Sequence, residues 1–163
     1  MTNASSSDSK RVDSASRVIA ASPQTIFQAF INPDALISWL PPEGMSGHVH
    51  EFSPRAGGSY RMTLTYDKPE HAGAGKTSEI ADVVKGRFLE VVPDTKIVQE
   101  VEFESDDPAF AGTMILTWSL MAVPGGTDVT IRCEDVPIGI RPEDHEAGLQ
   151  STLMNLAAFV ERK

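Results

Sequence analysis

Residues 142–162 read P-E-D-H-E-A-G-L-Q-S-T-L-M-N-L-A-A-F-V-E-R. Leu149, Leu153, Leu156 and Val160 recur at helical spacing and make one apolar stripe. Pro142 suits a first helical position, and Glu143 and Asp144 put negative charge near the positive end of the helix dipole. Upstream, residues 44–134 alternate with a period of two instead. A long terminal helix that follows a run of antiparallel strands must bury its stripe, and the apolar face of the sheet is the only large candidate. That arrangement often leaves space between helix and sheet, where a ligand can sit.

The strands are read from that alternation. Tyr60, Met62, Leu64 and Tyr66 alternate with polar residues, as in a strand with one wet face. Residues 67–79 hold Pro69, Gly73 and Gly75 and few apolar residues, which predicts a long hairpin loop. Residues 79–92 form the next strand, with Gly86 a bulge or a close approach. Ile97, Gln99, Val101 and Phe103 share a face, and Met114, Leu116, Trp118 and Leu120 share another. Pro124-Gly125-Gly126 turns the chain into Val129, Ile131 and Cys133.

At the other end, residues 1–14 are rich in Ser, Asp and Asn and are expected to be a disordered tail. Residues 17–21 read as a first strand. Ser22-Pro23 and Asn32-Pro33 each supply an N-cap and a first-turn proline, predicting two short helices in succession. The expected fold is α+β: a helix-grip domain over residues 15–163, with a curved antiparallel sheet of about six to seven strands wrapped around a long C-terminal helix.

Composition restricts the partners. The 163 residues carry a formal net charge of −9, whereas phosphate-dominated nucleic-acid binding needs a basic footprint. Nucleic acid and anionic membrane are therefore not expected partners. No stretch has the length of a transmembrane helix, the N-terminus lacks the apolar core of a signal peptide, and Cys133 is the single cysteine. A cytoplasmic setting is expected from these features.

Several motifs are weaker than they look. Gly73-Ala74-Gly75-Lys76-Thr77 resembles the end of a phosphate-binding loop, but Glu70 stands where the first glycine is required. His48 and His50 share a strand face, yet a metal needs further ligands, which His71 or His145 could supply only from afar. Cys133 alternates with Val129 and Ile131 and reads as a small core residue. Trp118 lies on the inward strand face and Trp39 ends the second short helix. Gln99 interrupts an apolar face, and His145 extends the helix stripe. An inward Gln and His in an apolar lining fit the few polar groups that orient a small ligand, and equally a satisfied core pair.

The stretch A-S-P-Q-T-I-F-Q-A-F-I-N-P-D-A-L-I-S-W-L-P-P-E-G, residues 21–44, is similar to the opening signature of START-like (SRPBCC) proteins. Within these it resembles most the homologues of the activator of the ninety-kilodalton heat-shock protein's ATPase. Gly57-Gly58-Ser59-Tyr60, Gly86, Gly125-Gly126-Thr127 and E-D-H-E-A-G at residues 143–148 match as well. Two departures stand out: Leu40 and Leu149 occupy positions where relatives often carry aromatic rings. The resemblance implies a cavity that binds a hydrophobic or amphipathic molecule, here with a differently shaped interior.

The expected lining is Trp39, Met62, Leu64, Gln99, Val101, Phe103, Leu116, Trp118, His145, Leu149 and Leu153, with Gln99 and His145 setting orientation. The expected partner is a small hydrophobic molecule, with a homodimer left open. No cofactor, metal or catalytic residue is assigned. The alternatives are a polyketide-cyclase-like enzyme using His145 as acid or base, and a chaperone-binding module implied by the family resemblance.

Overall fold

The computed structural model describes residues 11–41, 44–67 and 81–161. Strand β1 (Val12–Ile19) leads into helices α1 (Pro23–Ile31) and α2 (Pro33–Trp39). A meander follows: β2 (Met45–Phe52), β3 (Ser59–Tyr66), β4 (Ala81–Val92), β5 (Lys96–Phe103), β6 (Met114–Val123) and β7 (Gly126–Glu134). Helix α3 (Pro142–Glu161) closes the chain. The strands form one seven-stranded sheet in the order β1-β7-β6-β5-β4-β3-β2, and every neighbouring pair is antiparallel. This is the helix-grip α+β fold.

Local chemistry starts both short helices. The Ser22 hydroxyl accepts from Thr25 N–H at 3.1 Å, and Asn32 Oδ1 accepts from Asp34 and Ala35 N–H at 2.9 and 3.2 Å. Pro23 and Pro33 follow these caps directly, where their missing N–H costs nothing. Ile26, Phe27 and Phe30 of α1 are buried, as are Leu36 and Trp39 of α2.

Gly86 is a close approach. A Cβ there would stand 1.8 Å from the Glu100 carbonyl oxygen. The absent side chain also makes room for the Tyr60 hydroxyl, which donates to that same carbonyl at 2.6 Å. The register irregularity of β4 lies further on, between Phe88 and Glu90.

Strand β1 departs from the sequence reading. It begins at Val12 rather than at residue 17, so residues 12–14, assigned to the tail, pair instead with β7 from Val12↔Glu134 to Ser14↔Arg132. The reason is that β1 buries little through its early side chains. Ala15 and Ile19 are its buried residues, and the strand is held by its ladder to β7. Residues 1–10 of the expected tail, residues 68–79 of the expected hairpin loop and the Gly73–Thr77 motif within it lie outside the described residues.

Helix α3 does not cover the sheet evenly. It packs chiefly along β1 and against α2 and α1. Thr152 Oγ1 donates to the Leu40 carbonyl at 3.2 Å, and Asn155 Nδ2 to that of Pro41 at 2.9 Å. At its end, Glu161 accepts from Ala20 N–H at 2.9 Å. The inner face of β3 to β6 is left standing away from the helix.

Candidate functional site

That separation forms a cavity of about 400 Å³ between α3 and the inner face of the sheet. Its walls follow from strand parity. Tyr60, Met62, Leu64 and Tyr66 enter from β3, Val84 and Phe88 from β4, and Ile97, Gln99, Val101 and Phe103 from β5. Met114, Leu116 and Trp118 of β6, Ile131 and Cys133 of β7, Asp82 of β4 and Met45 and Phe52 of β2 complete the sheet side. Asp144, His145, Gly148, Leu149 and Thr152 enter from α3, and Phe30, Leu36 and Leu40 close one flank.

The sequence-predicted residues Met62, Leu64, Gln99, Val101, Phe103, Leu116, Trp118, His145 and Leu149 all line this cavity. Trp39 and Leu153 do not. Trp39 is fully buried, and its indole N–H donates to the Ala29 carbonyl at 3.1 Å. Its ring stacks edge-on with Phe30 and Trp118, at centroid distances of 4.9 and 5.8 Å. It therefore supports the cavity wall from behind. Leu153 is also fully buried, in the stretch of α3 where Leu156, Ala157 and Val160 complete the core. Leu40 and Leu149 both stand on the cavity wall.

His145 is held from outside the helix. Its Nδ1 lies 2.6 Å from Asp13 Oδ2, on the inward parity of β1. An ionised carboxylate can only accept, so Nδ1 carries the proton of this contact and Nε2 is the acceptor of the neutral ring. Arg11 completes the chain. Its Nε and Nη2 donate to Asp13, at 3.1 and 2.7 Å to the nearer oxygens, and its Nη1 donates to the Ile140 carbonyl. Burial pushes the Asp13 carboxyl up, but hydrogen bonds and charge from Arg11 and His145 outweigh it and hold the group below its ordinary value.

A second polar group sits at the hairpin end of β3 and β4. Asp82 is only 4% exposed, whereas Asp144 is exposed. Tyr66 is held above its ordinary pKa by burial, then by the charges of Asp82 and Asp144. Cys133 is pushed up to about 12 by burial and by Asp13, partly opposed by Arg11, so it is a thiol rather than a thiolate at neutral pH.

Asp13, Arg11, Tyr60, Tyr66, Asp82, Asp144 and Thr152 are polar groups of the site that the sequence reading did not assign to it. Parity was the available signal for Tyr66, which alternates with Leu64, and for Asp82, two residues before Val84. His48 and His50 are exposed and stack on one another at 4.7 Å, and His50 contacts the Thr63 hydroxyl. Among the described residues, no cluster of three or more His, Cys, Asp or Glu side chains could hold a metal ion. No helix among them is long and apolar enough to cross a membrane.

Solved structures share this architecture. A protein from Chromobacterium violaceum is 37% identical, with a TM-score of 0.80 over 92% of this chain and 96% of its own. A Rhodobacter sphaeroides protein is 19% identical over 94% of this chain and 98% of its own, with a TM-score of 0.73. An AHSA1-like protein from Aeromonas hydrophila, also 19% identical, has a TM-score of 0.68 over 93% of both chains. The latter two likenesses concern the fold alone. No curated protein matches the chain. The model of the family described as "Activator of Hsp90 ATPase homolog 1-like protein" matches residues 20–161, nearly all of the helix-grip domain, and the chain belongs to that START-like family.

Proposed function

We propose that this protein binds a small hydrophobic or amphipathic molecule in the cavity between α3 and the sheet. The supporting observation is the cavity itself. Protein interiors are close-packed, with few voids larger than a water molecule, so about 400 Å³ lined mainly by apolar side chains is not a packing defect. It falls within the range of about 300–1,000 Å³ typical of small-molecule sites. Affinity comes from burying the ligand's apolar surface, at about 25 cal/mol per Å². Gln99 and His145 supply the orienting polar contacts.

Trp118 makes the test direct, because its ring lines the cavity while Trp39 does not. In a Trp39→Phe protein, emission reports Trp118 alone, and apolar ligands should shift it in a saturable way. An emission that no apolar ligand alters, in a folded protein, would count against the proposal.

The contact between Asp13 and His145 favours one second reading, an enzyme in which Asp13 orients His145 as acid or base. Native mass spectrometry can recover a ligand from protein purified from its own host. Incubating that ligand with fresh protein separates the readings. Unchanged mass supports binding alone, whereas a mass change that His145→Ala abolishes supports catalysis.

A further inference from the structure

The polar groups of the cavity differ in what they can still offer a ligand. The Tyr60 hydroxyl donates to the Glu100 carbonyl and the Thr152 hydroxyl to that of Leu40, so both protons are committed to backbone. The Gln99 carboxamide lines the cavity and makes no hydrogen bond among the described residues. His145 lines it as well, with Nδ1 turned to Asp13 Oδ2 at 2.6 Å. Asp13 is already balanced by the Arg11 guanidinium, whose Nη2 lies 2.7 Å from the same oxygen, so it needs no imidazolium as counter-ion. The Nδ1 proton is committed to Asp13, and Nε2 remains as an acceptor with no partner among the described residues.

Strand register relates the two groups. Asp13 pairs with Cys133, Cys133 with Leu116 and Leu116 with Gln99, in one transverse row from β1 to β5. At about 4.8 Å per strand, that row separates Asp13 from Gln99 by about 14 Å. The Leu116 side chain and the Cys133 thiol form the wall between them. The two groups also differ in kind. A carboxamide both donates and accepts, so Gln99 serves a carbonyl, an ether or a hydroxyl equally. Nε2 only accepts, so a ligand atom set against it must bring a proton. A carboxylate has none to give at neutral pH. An ether or an alkyl group would leave the nitrogen desolvated and unpaired, which costs more than an ordinary hydrogen bond contributes.

We infer that the ligand is a neutral hydroxyl compound, an alcohol or a phenol, whose O–H donates to His145 Nε2 while its apolar body lies along Cys133 and Leu116 towards Gln99. This rests on the ligand-binding reading above and narrows it to a class.

Matched amphiphiles test it. Decanol and its isomer methyl nonyl ether share size and composition, but only decanol donates, and decanoate replaces the hydroxyl end by a charge. Each is titrated against a neutral fluorescent probe bound to the wild-type protein at about pH 8, where an ordinary imidazole is neutral. Decanol should bind about fivefold or more tighter than the ether, the worth of one neutral hydrogen bond, with decanoate weaker than decanol. His145→Phe, which keeps a ring there, should abolish that preference, whereas Gln99→Met should keep it. Long-range proton–nitrogen correlation spectra of the wild-type protein need no substitution. They should show His145 protonated on Nδ1 and bare on Nε2, and decanol but not the ether should move the Nε2 resonance upfield. Decanol binding no better than the ether, a preference that survives His145→Phe, decanoate binding as tightly as decanol, or a proton on Nε2 would each overturn the inference and leave ligand binding intact. If neither the probe nor any of the three binds, the ligand-binding reading itself falls and this inference with it.

Discussion

Gly148 stands in the middle of a helix where glycine is unfavourable, and it faces the cavity. A Cβ built there meets nothing within 4 Å. Gly148→Ala should therefore stabilise the protein by about 0.8–1 kcal/mol, the usual helix-propensity difference, as a higher midpoint in urea. An unchanged or lower midpoint would show that the space is not open. Asp13 carries the opposite kind of sensitivity. Its carboxyl is held below 3.8, so the stability it contributes is fully present above that unfolded value and is lost as pH falls through the lower folded value. Asp13→Asn should therefore lower stability at neutral pH and flatten its decline between about pH 5 and pH 2. Parallel pH profiles for the two proteins would show that Arg11 and His145 do not hold the carboxylate as described.

Along α3 the apolar stripe divides into two parts with different tasks. Gly148, Leu149 and Thr152 face the cavity, while Leu153, Leu156, Ala157 and Val160 close the core. Leu153→Ala should cost about 2–5 kcal/mol, the range for a leucine truncated in a packed core. Leu149→Ala should cost less, because it enlarges a space that already exists. Equal losses in chemical denaturation would mean that Leu149 is packed like Leu153. This division also marks the limit of what the sequence made legible. Periodicity located α3, the strands from β3 to β7 and their inward faces, because Met62, Val101, Leu116 and Ile131 are large apolar residues at regular spacing. The early part of β1 escaped it: Asp13, Ser14 and Ser16 lack that signature, and the strand is held by backbone pairing to β7. Leu149 and Leu153 belong to one stripe, so their roles differ only through the depth of sheet beneath each. The position of Trp39 at the end of α2 points to the wall but does not reveal that its indole turns back to Ala29.

The cavity is a property of how the two halves of the molecule meet. The α1–α2 unit and β1 hold α3 through Ala20, Leu40 and Pro41, and Asp13 holds its first turn. With the helix fixed along β1, the sheet continues past it through β6, β5, β4 and β3, and the inner face of those strands becomes the floor of a site. The packed rings of Phe30, Trp39 and Trp118 support one wall. Leu149→Trp places a large ring into that space. Comparing the affinity of wild-type and Leu149→Trp protein for one neutral apolar ligand, decanol, therefore tests whether the cavity is the binding site. The variant should fold with a normal thermal midpoint and lose about tenfold or more in affinity, the worth of roughly 1.4 kcal/mol of buried contact. A folded variant that binds decanol as tightly as the wild type would contradict it.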